Sequence, residues 1–192
     1  MINRSIQCFL LDTYGRAAWD GIAAAAGLDA DGFEAMLDYD PAETEAVLRA
    51  AVLQLAKPRE MILEDLGTYM VSHPHMQVIR RLLRFGGSCF LEFLYSLDEL
   101  PERARLAVPE LRLPRLELRE HDPVSFAVLV HHPVPGFGHV LVGILRAMAD
   151  DYGSLVLLDF QGRRDAVETV TVVLAEASFA EGRRFDLRVQ AQ

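Results

Sequence analysis

The sequence predicts an α+β fold in which a helical first two-thirds is followed by a mostly antiparallel sheet carrying one inserted helix. Three observations lead there. Apolar residues recur at helical spacing up to about residue 110. Runs rich in β-branched residues, with alternation and Gly, Pro and Asp at their ends, begin near residue 111. One further helical stretch, "GFGHVLVGILRAMADDYG", separates the second of those runs from the third. No repeat, low-complexity tract or linker interrupts the chain. A single domain over 1–192 is therefore expected, its helical part at about 1–110 and its sheet part at about 111–192.

The elements follow in order. "INRSIQCFLLDTYG" sets Ile2, Ile6, Phe9 and Leu10 on one helical face and stops near Gly15. "AAWDGIAAAAGL" is a short alanine-rich helix closed by Gly27. In "YDPAETEAVLRAAVLQLA", Asp40 is the N-cap, Pro41 takes the first helical position, and Glu43 stands three residues after the cap. "PREMILEDLGTYMVSHP" is a helix with Met61, Ile62, Leu66 and Tyr69 inward; "MQVIRRLLRFGG" and "SCFLEFLYSLDEL" follow. Pro101 suits the first turn of a helix begun by "PERARL", because its missing N–H is not needed there. The strands are "RLELRE", "VSFAVLVHH", "SLVLLDFQ" and "VETVTVVLAEA", with "RRFDLRVQ" as an added edge strand.

Composition excludes several classes. With 51% hydrophobic and 24% charged residues the chain is globular rather than disordered. A net charge of -9, from 28 acidic and 19 basic residues, opposes a phosphate backbone, and no basic stripe with interleaved aromatics offsets it. Cys8 and Cys89 form no metal-type pair, and both read as buried thiols acting as small hydrophobes. No signal peptide is recognised, and no apolar run reaches the ~18 residues of a membrane span. A reducing, cytoplasmic setting is expected.

Motifs that carry chemistry are scarce. There is no phosphate loop, no G-x-S-x-G and no H-E-x-x-H, and "GFGHVLVG" lacks the dinucleotide-binding spacing. His73 and His75 flank Pro74 in a helix connection and read as solvated. His131 and His132 are neighbours on a strand and so face opposite sides of the sheet, one of them toward the helical layer. Asp98-Glu99 and Asp150-Asp151 read as solvated helix ends rather than catalytic pairs. No nucleophile with a matching base emerges, so an enzyme is not expected.

The order and spacing of "INRSIQCFLLDTYG", "AAWDGIAAAAGL", "YDPAETEAVLRAA", "ILEDLGTYMV", "LLRFGGSCFLEFLYSLDEL", "PELRLPRL" and "PGFGHVLVGILRAMA" resemble the haem-nitric oxide/oxygen-binding family, the H-NOX domain, from about residue 1 to 176. The resemblance implies a helical subdomain packed on an antiparallel sheet with haem between. In that family a helix histidine binds the iron, and a strand motif Y-x-S-x-R anchors the haem propionates. The family's "sLdnLH" reads "SLDELP" here, which puts Pro101 at the ligand position. Counted back from Gly136, the strand motif falls on Val130, His132 and Val134 in place of tyrosine, serine and arginine. The proline that presses on the porphyrin corresponds to Pro114.

These four agreeing departures, Pro101, Val130, His132 and Val134, imply a divergent member without conventional haem binding. Its expected role is a signalling or sensor domain working through protein contacts. The partner is a histidine kinase or a cyclic-dinucleotide enzyme, since free-standing bacterial members of the family regulate such proteins. Two alternatives stand beside it. One is a binding module for another apolar small molecule. The other is a haem-binding NO/O2 sensor ligated through His132, whose side chain is expected on the same side as Val130 and Val134. His139 is a weaker candidate for that role.

Overall fold

In the computed structural model residues 2–29, 31–34, 37, 39–107 and 113–183 are described. The fold is α+β: eight α-helices and a four-stranded antiparallel sheet among these residues. Two compact units are present, Met1–Leu66 and Gly67–Gln192, and the division falls inside one helix.

The first unit is helical. α1 (Ile2–Tyr14) buries Ile6, Phe9 and Leu10, as its apolar spacing requires; the side chain of Ile2 lies outside the described set. α2 (Arg16–Ala26) buries Trp19, Ile22 and Ala23 and ends on Gly27 in a left-handed conformation, where a Cβ would be strained. α3 (Pro41–Leu55) starts as expected, with Asp40 Oδ1 accepting from the Ala42 amide at 2.8 Å. Gln7 ties the following loop to α1: its Oε1 accepts from Phe33 N at 2.9 Å and its Nε2 donates to the Asp31 carbonyl at 3.0 Å. α4 (Arg59–Ser72) opens with Arg59 forking onto Glu45 at 2.6 and 2.7 Å. That fork holds the Glu45 carboxyl below the usual carboxylate range. Met61, expected inward, is 49% exposed, because α4 carries no narrow apolar stripe to force it in.

The second unit is built on the sheet. A 3-10 turn (Pro74–Met76) leads into α5 (Gln77–Arg84). The stretch expected as one helix over "SCFLEFLYSLDEL" is broken into α6 (Phe90–Tyr95) and a 3-10 turn (Leu97–Glu99) that runs on into α7 (Leu100–Ala107). β1 (Arg115–Asp122), β2 (Ser125–His131), α8 (Phe137–Tyr152), β3 (Leu155–Arg164) and β4 (Val167–Glu176) complete it. The sheet order is β1-β2-β4-β3, with every pairing antiparallel. The edge strand expected at "RRFDLRVQ" lies, beyond Arg183, outside the described residues.

Strand register decides which side chains share the core. Phe126, Val128 and Val130 of β2 oppose Val172, Val170 and Glu168 of β4, and all six are buried. α8 packs against β3 and β4, burying Val140, Leu141, Ile144, Leu145 and Met148. α4 approaches α8 so closely at Gly67 that a Cβ there would collide with the Val140 carbonyl.

The C-terminal end of α8 holds a buried ion cluster. Asp151, expected on a solvated helix end, is 1% exposed and receives Arg80 through Nε at 3.1 Å and Nη2 at 2.6 Å. Arg84 lies 4.0 Å from the centre of the Tyr152 ring and donates to the Asp151 carbonyl at 3.2 Å. Tyr152 donates its hydroxyl to Gly87 O at 2.9 Å, and burial pushes its phenol up to about 12. Cys89, expected buried, is exposed at the start of α6.

Two outcomes follow. Gly67→Ala forces backbone apart between α4 and α8 and should lower unfolding free energy by about 2 kcal/mol in a urea titration. The phenol of Tyr152 has a folded-state pKa above its unfolded value of about 10, so its contribution is complete below that pH and is lost as pH rises toward about 12. Denaturant midpoints measured across this window should fall for the wild type and fall less for Tyr152→Phe.

Candidate functional site

The family-pocket positions singled out in the sequence all lie in the second unit: Pro101 in the first turn of α7, Pro114 just before β1, Val130 near the end of β2, and His132 and Val134 in the connection into α8. Pro101 is the second residue of α7 and is buried. It follows Leu100, whose amide donates to the Leu97 carbonyl, so the 3-10 turn passes into the helix before the missing proline N–H matters. A buried pyrrolidine offers no lone pair for a metal. Two residues along the preceding turn, Asp98 accepts the Leu118 amide of the edge strand β1 at 2.7 Å, joining turn and sheet. Pro114 is buried immediately before β1.

Val130 is fully buried on the α8 side of the sheet. β2 ends at His131, so the strict alternation expected through residues 130, 132 and 134 does not continue. His132 instead belongs to the connection into α8. Its main-chain N–H donates to Ala166 O at 3.2 Å, and its ring turns onto its own loop. There Nδ1 lies 3.2 Å from the donating Val134 amide and 2.9 Å from the Val134 carbonyl, while the ring tilts against Phe137 at 6.2 Å. Arg163 closes the loop from β3, donating to Pro133 O at 2.7 Å and His132 O at 3.2 Å. Val134 is half-buried within this turn. His132 and Val134 thus sit together in a loop, whereas Val130 sits in the strand.

His131 faces the opposite side from Val130, as alternation requires. Its Nε2 lies 3.1 Å from Glu117 Oε2, and Arg119 reaches the same carboxylate at 2.9 Å. Arg119 first, then His131, hold the Glu117 carboxyl below its ordinary range. His73 and His75 lie at the 3-10 turn after α4, where the His73 ring stacks on Tyr69 at 4.6 Å.

The centre of the corner is a residue that sequence reasoning passed over. Glu168 on β4 is 3% exposed and is the register partner of Val130. Its Oε1 accepts from Gly136 N and its Oε2 from Gly138 N, both at 2.7 Å. Both donors are N–H groups at the start of α8 that lack helical partners, so the carboxylate caps the positive end of the helix. Gly138 is required for the approach: a Cβ there would stand 2.6 Å from the Phe160 ring and 3.2 Å from Glu168 Cβ. His139, next on the helix, has its ring 4.0 Å from that of Phe160. A signal for Glu168 was present, since it interrupts the inward series completed by Val170, Val172 and Leu174 with an acid.

An antiparallel sheet preceded by a long helical part, with one helix laid on it between its second and third strands, defines the H-NOX class of fold. Solved structures agree. A mutant H-NOX domain from T. Tengcongensis superposes with a TM-score of 0.74 at 14% identity, covering 92% of this chain and 99% of that one. A Cs H-NOX mutant carrying 4-cyano-L-phenylalanine gives 0.75 at 15% identity, over 93% and 97% of the two chains. An oxygen-binding H-NOX domain related to soluble guanylate cyclases gives 0.66 at 15% identity, over 94% and 97%. The Haem-NO-binding family model matches residues 1–158, and the chain belongs to that family. A soluble guanylate cyclase of Caenorhabditis elegans, gcy-31, is 20% identical over 151 residues, which are 79% of this chain and 22% of that protein. The chain therefore spans about a fifth of the length of that relative.

Removing the Glu168 carboxylate leaves two buried amides without acceptors. Glu168→Ala should cost about 3 kcal/mol of unfolding free energy, read from chemical denaturation; a loss under about 1 kcal/mol would contradict the capping role.

Proposed function

We propose that this chain is an H-NOX-type sensor domain that signals through contacts with a partner protein and does not bind haem in the conventional manner. The observation that carries this reading is Pro101: the position that the family resemblance gives to the axial histidine holds a buried proline with no ligating atom. Two observations at the end of β2 and the start of α8 support it. Val130 presents an apolar wall, and the two amides at the start of α8 are already taken by Glu168. The alternative route to haem through His132 is disfavoured by its place in the connection after β2, where it does not continue the inward face of Val130. The residues of this corner thus do not fit a haem carboxylate.

The partner side of the reading is supported by the likeness to a guanylate cyclase that is much longer than this chain. A histidine kinase or a cyclic-dinucleotide enzyme is the proposed partner, and an uncharged apolar small molecule the proposed alternative signal. The domain itself is proposed to be non-catalytic. No described helix is long and apolar enough to cross a membrane.

Haemin added to the purified protein is the decisive measurement. The expected spectrum lacks a sharp Soret band at one equivalent, and a sharp band there would overturn the haem-free reading. Native mass spectrometry of the same sample then reports any co-purified apolar molecule.

A further inference from the structure

His73, Pro74 and His75 form the turn between α4 and α5 in the second unit, away from the corner of Val130 and His132. In sequence the two histidines read as solvated; in the structure His73 is half-buried and His75 is exposed. The main chain of the turn is fixed on both sides of His73. Its N–H donates to the Tyr69 carbonyl at 3.0 Å, and its own carbonyl accepts from Met76 N at 2.9 Å. Pro74 holds His73 extended, at φ -76° and ψ 138°, as the residue before a proline prefers.

The rings are placed by this backbone. His73 stacks on Tyr69 with ring centres 4.6 Å apart and planes at 24°, and His75 meets His73 edge-on at 4.9 Å. A ring nitrogen of His73 and one of His75 lie within 4.8 Å of each other. Metal–imidazole bonds of about 2.0–2.1 Å at a tetrahedral angle set two donors roughly 3.3 Å apart, so a small rotation of the exposed His75 ring closes the pair. The His75 amide reaches His73 Nδ1 only at 3.4 Å, a long hydrogen bond that a metal–nitrogen bond outweighs. Because both donors stand on one short, ordered turn, the second bond forms without further ordering of the chain. Imidazole nitrogen suits zinc, nickel and copper ions, whereas magnesium and calcium demand oxygen ligands.

We propose that His73 and His75 form a bidentate site for a divalent transition-metal ion of the zinc, nickel and copper class, the remaining coordination positions being open to water or to a further ligand. The site is independent of the sensor role and of any haem.

The test uses the untagged full chain, stripped of metal with a chelator. Isothermal titration with zinc chloride and with nickel chloride should give saturable binding, while magnesium chloride at the same concentration gives none. Two variants are compared, with circular dichroism confirming that each is folded. His73→Phe keeps an aromatic ring on Tyr69 while removing the donor atoms. His75→Ala changes an exposed position and carries the test if the first variant unfolds. Each should weaken zinc binding by about ten-fold or more. Electron paramagnetic resonance with one equivalent of copper chloride should show coupling to two imidazole nitrogens in the wild type and to one in either variant. Absence of zinc and nickel binding overturns the proposal, as does zinc affinity that is unchanged in a folded variant, or a copper signal that keeps both nitrogens after substitution. Magnesium binding as tight as zinc binding overturns it as well.

Discussion

The second unit depends on how α8 is held at its two ends, in both cases by a buried acid. At the N-terminal end Glu168 reaches across from β4 and accepts the amides of the N-cap Gly136 and of Gly138. This is the favourable end of a helix for a negative charge. At the C-terminal end Asp151 sits where the helix dipole disfavours an acid, and the arginines of α5 reverse the balance. Apolar contacts between a helix and a sheet are non-directional and leave its position along its axis less sharply specified. Directional hydrogen bonds at both ends remove that freedom, and the register of Val140, Ile144 and Met148 against β3 and β4 follows.

The same constraint shapes the corner where β2 passes into α8. Because the helix starts against Glu168 and Phe160, its first turn must come close to the sheet, which only a glycine at 138 permits. The connection is then short. β2 stops at His131, and the remaining residues fold into a turn closed by His132 Nδ1 and by Arg163. His132 is consequently a loop-forming residue whose Nδ1 turns onto its own main chain, although its place in the sequence lies two residues beyond a buried strand position.

Family membership rests on the pattern of the chain more than on particular side chains. Superpositions at TM-scores of 0.66 to 0.75 with 14–15% identity show that the fold survives when most side chains have changed. What it requires is the pattern of apolar positions, a few glycines and the strand register. A ligand site requires particular polar atoms at particular points, and those can be exchanged while the pattern is kept. Pro101 illustrates the tolerance of the pattern: in the first turn of α7 it satisfies the helix as well as another residue would.

By itself the sequence determined the element types and much of their inward faces. Asp40 and Pro41 start α3, Gly27 ends α2, and the alternation in β4 marks its buried side, because each of these signals acts within a few residues of chain. It also carried the family resemblance, through spacing along nearly the whole length. Tertiary structure alone decided the fate of polar groups. Asp151 stands on the inward face of α8 at heptad spacing from Ile144, yet it reads as solvated until Arg80, 71 residues away, is brought to it. Glu168 reads as a strand residue of no special role until the start of α8 is brought to it. Strand ends, the exposure of Met61 and Cys89, and the turning of His132 were settled in the same way. The reason is physical: apolar burial is non-directional and leaves a local periodic trace, whereas a buried charge is stable only beside partners that the sequence places far away.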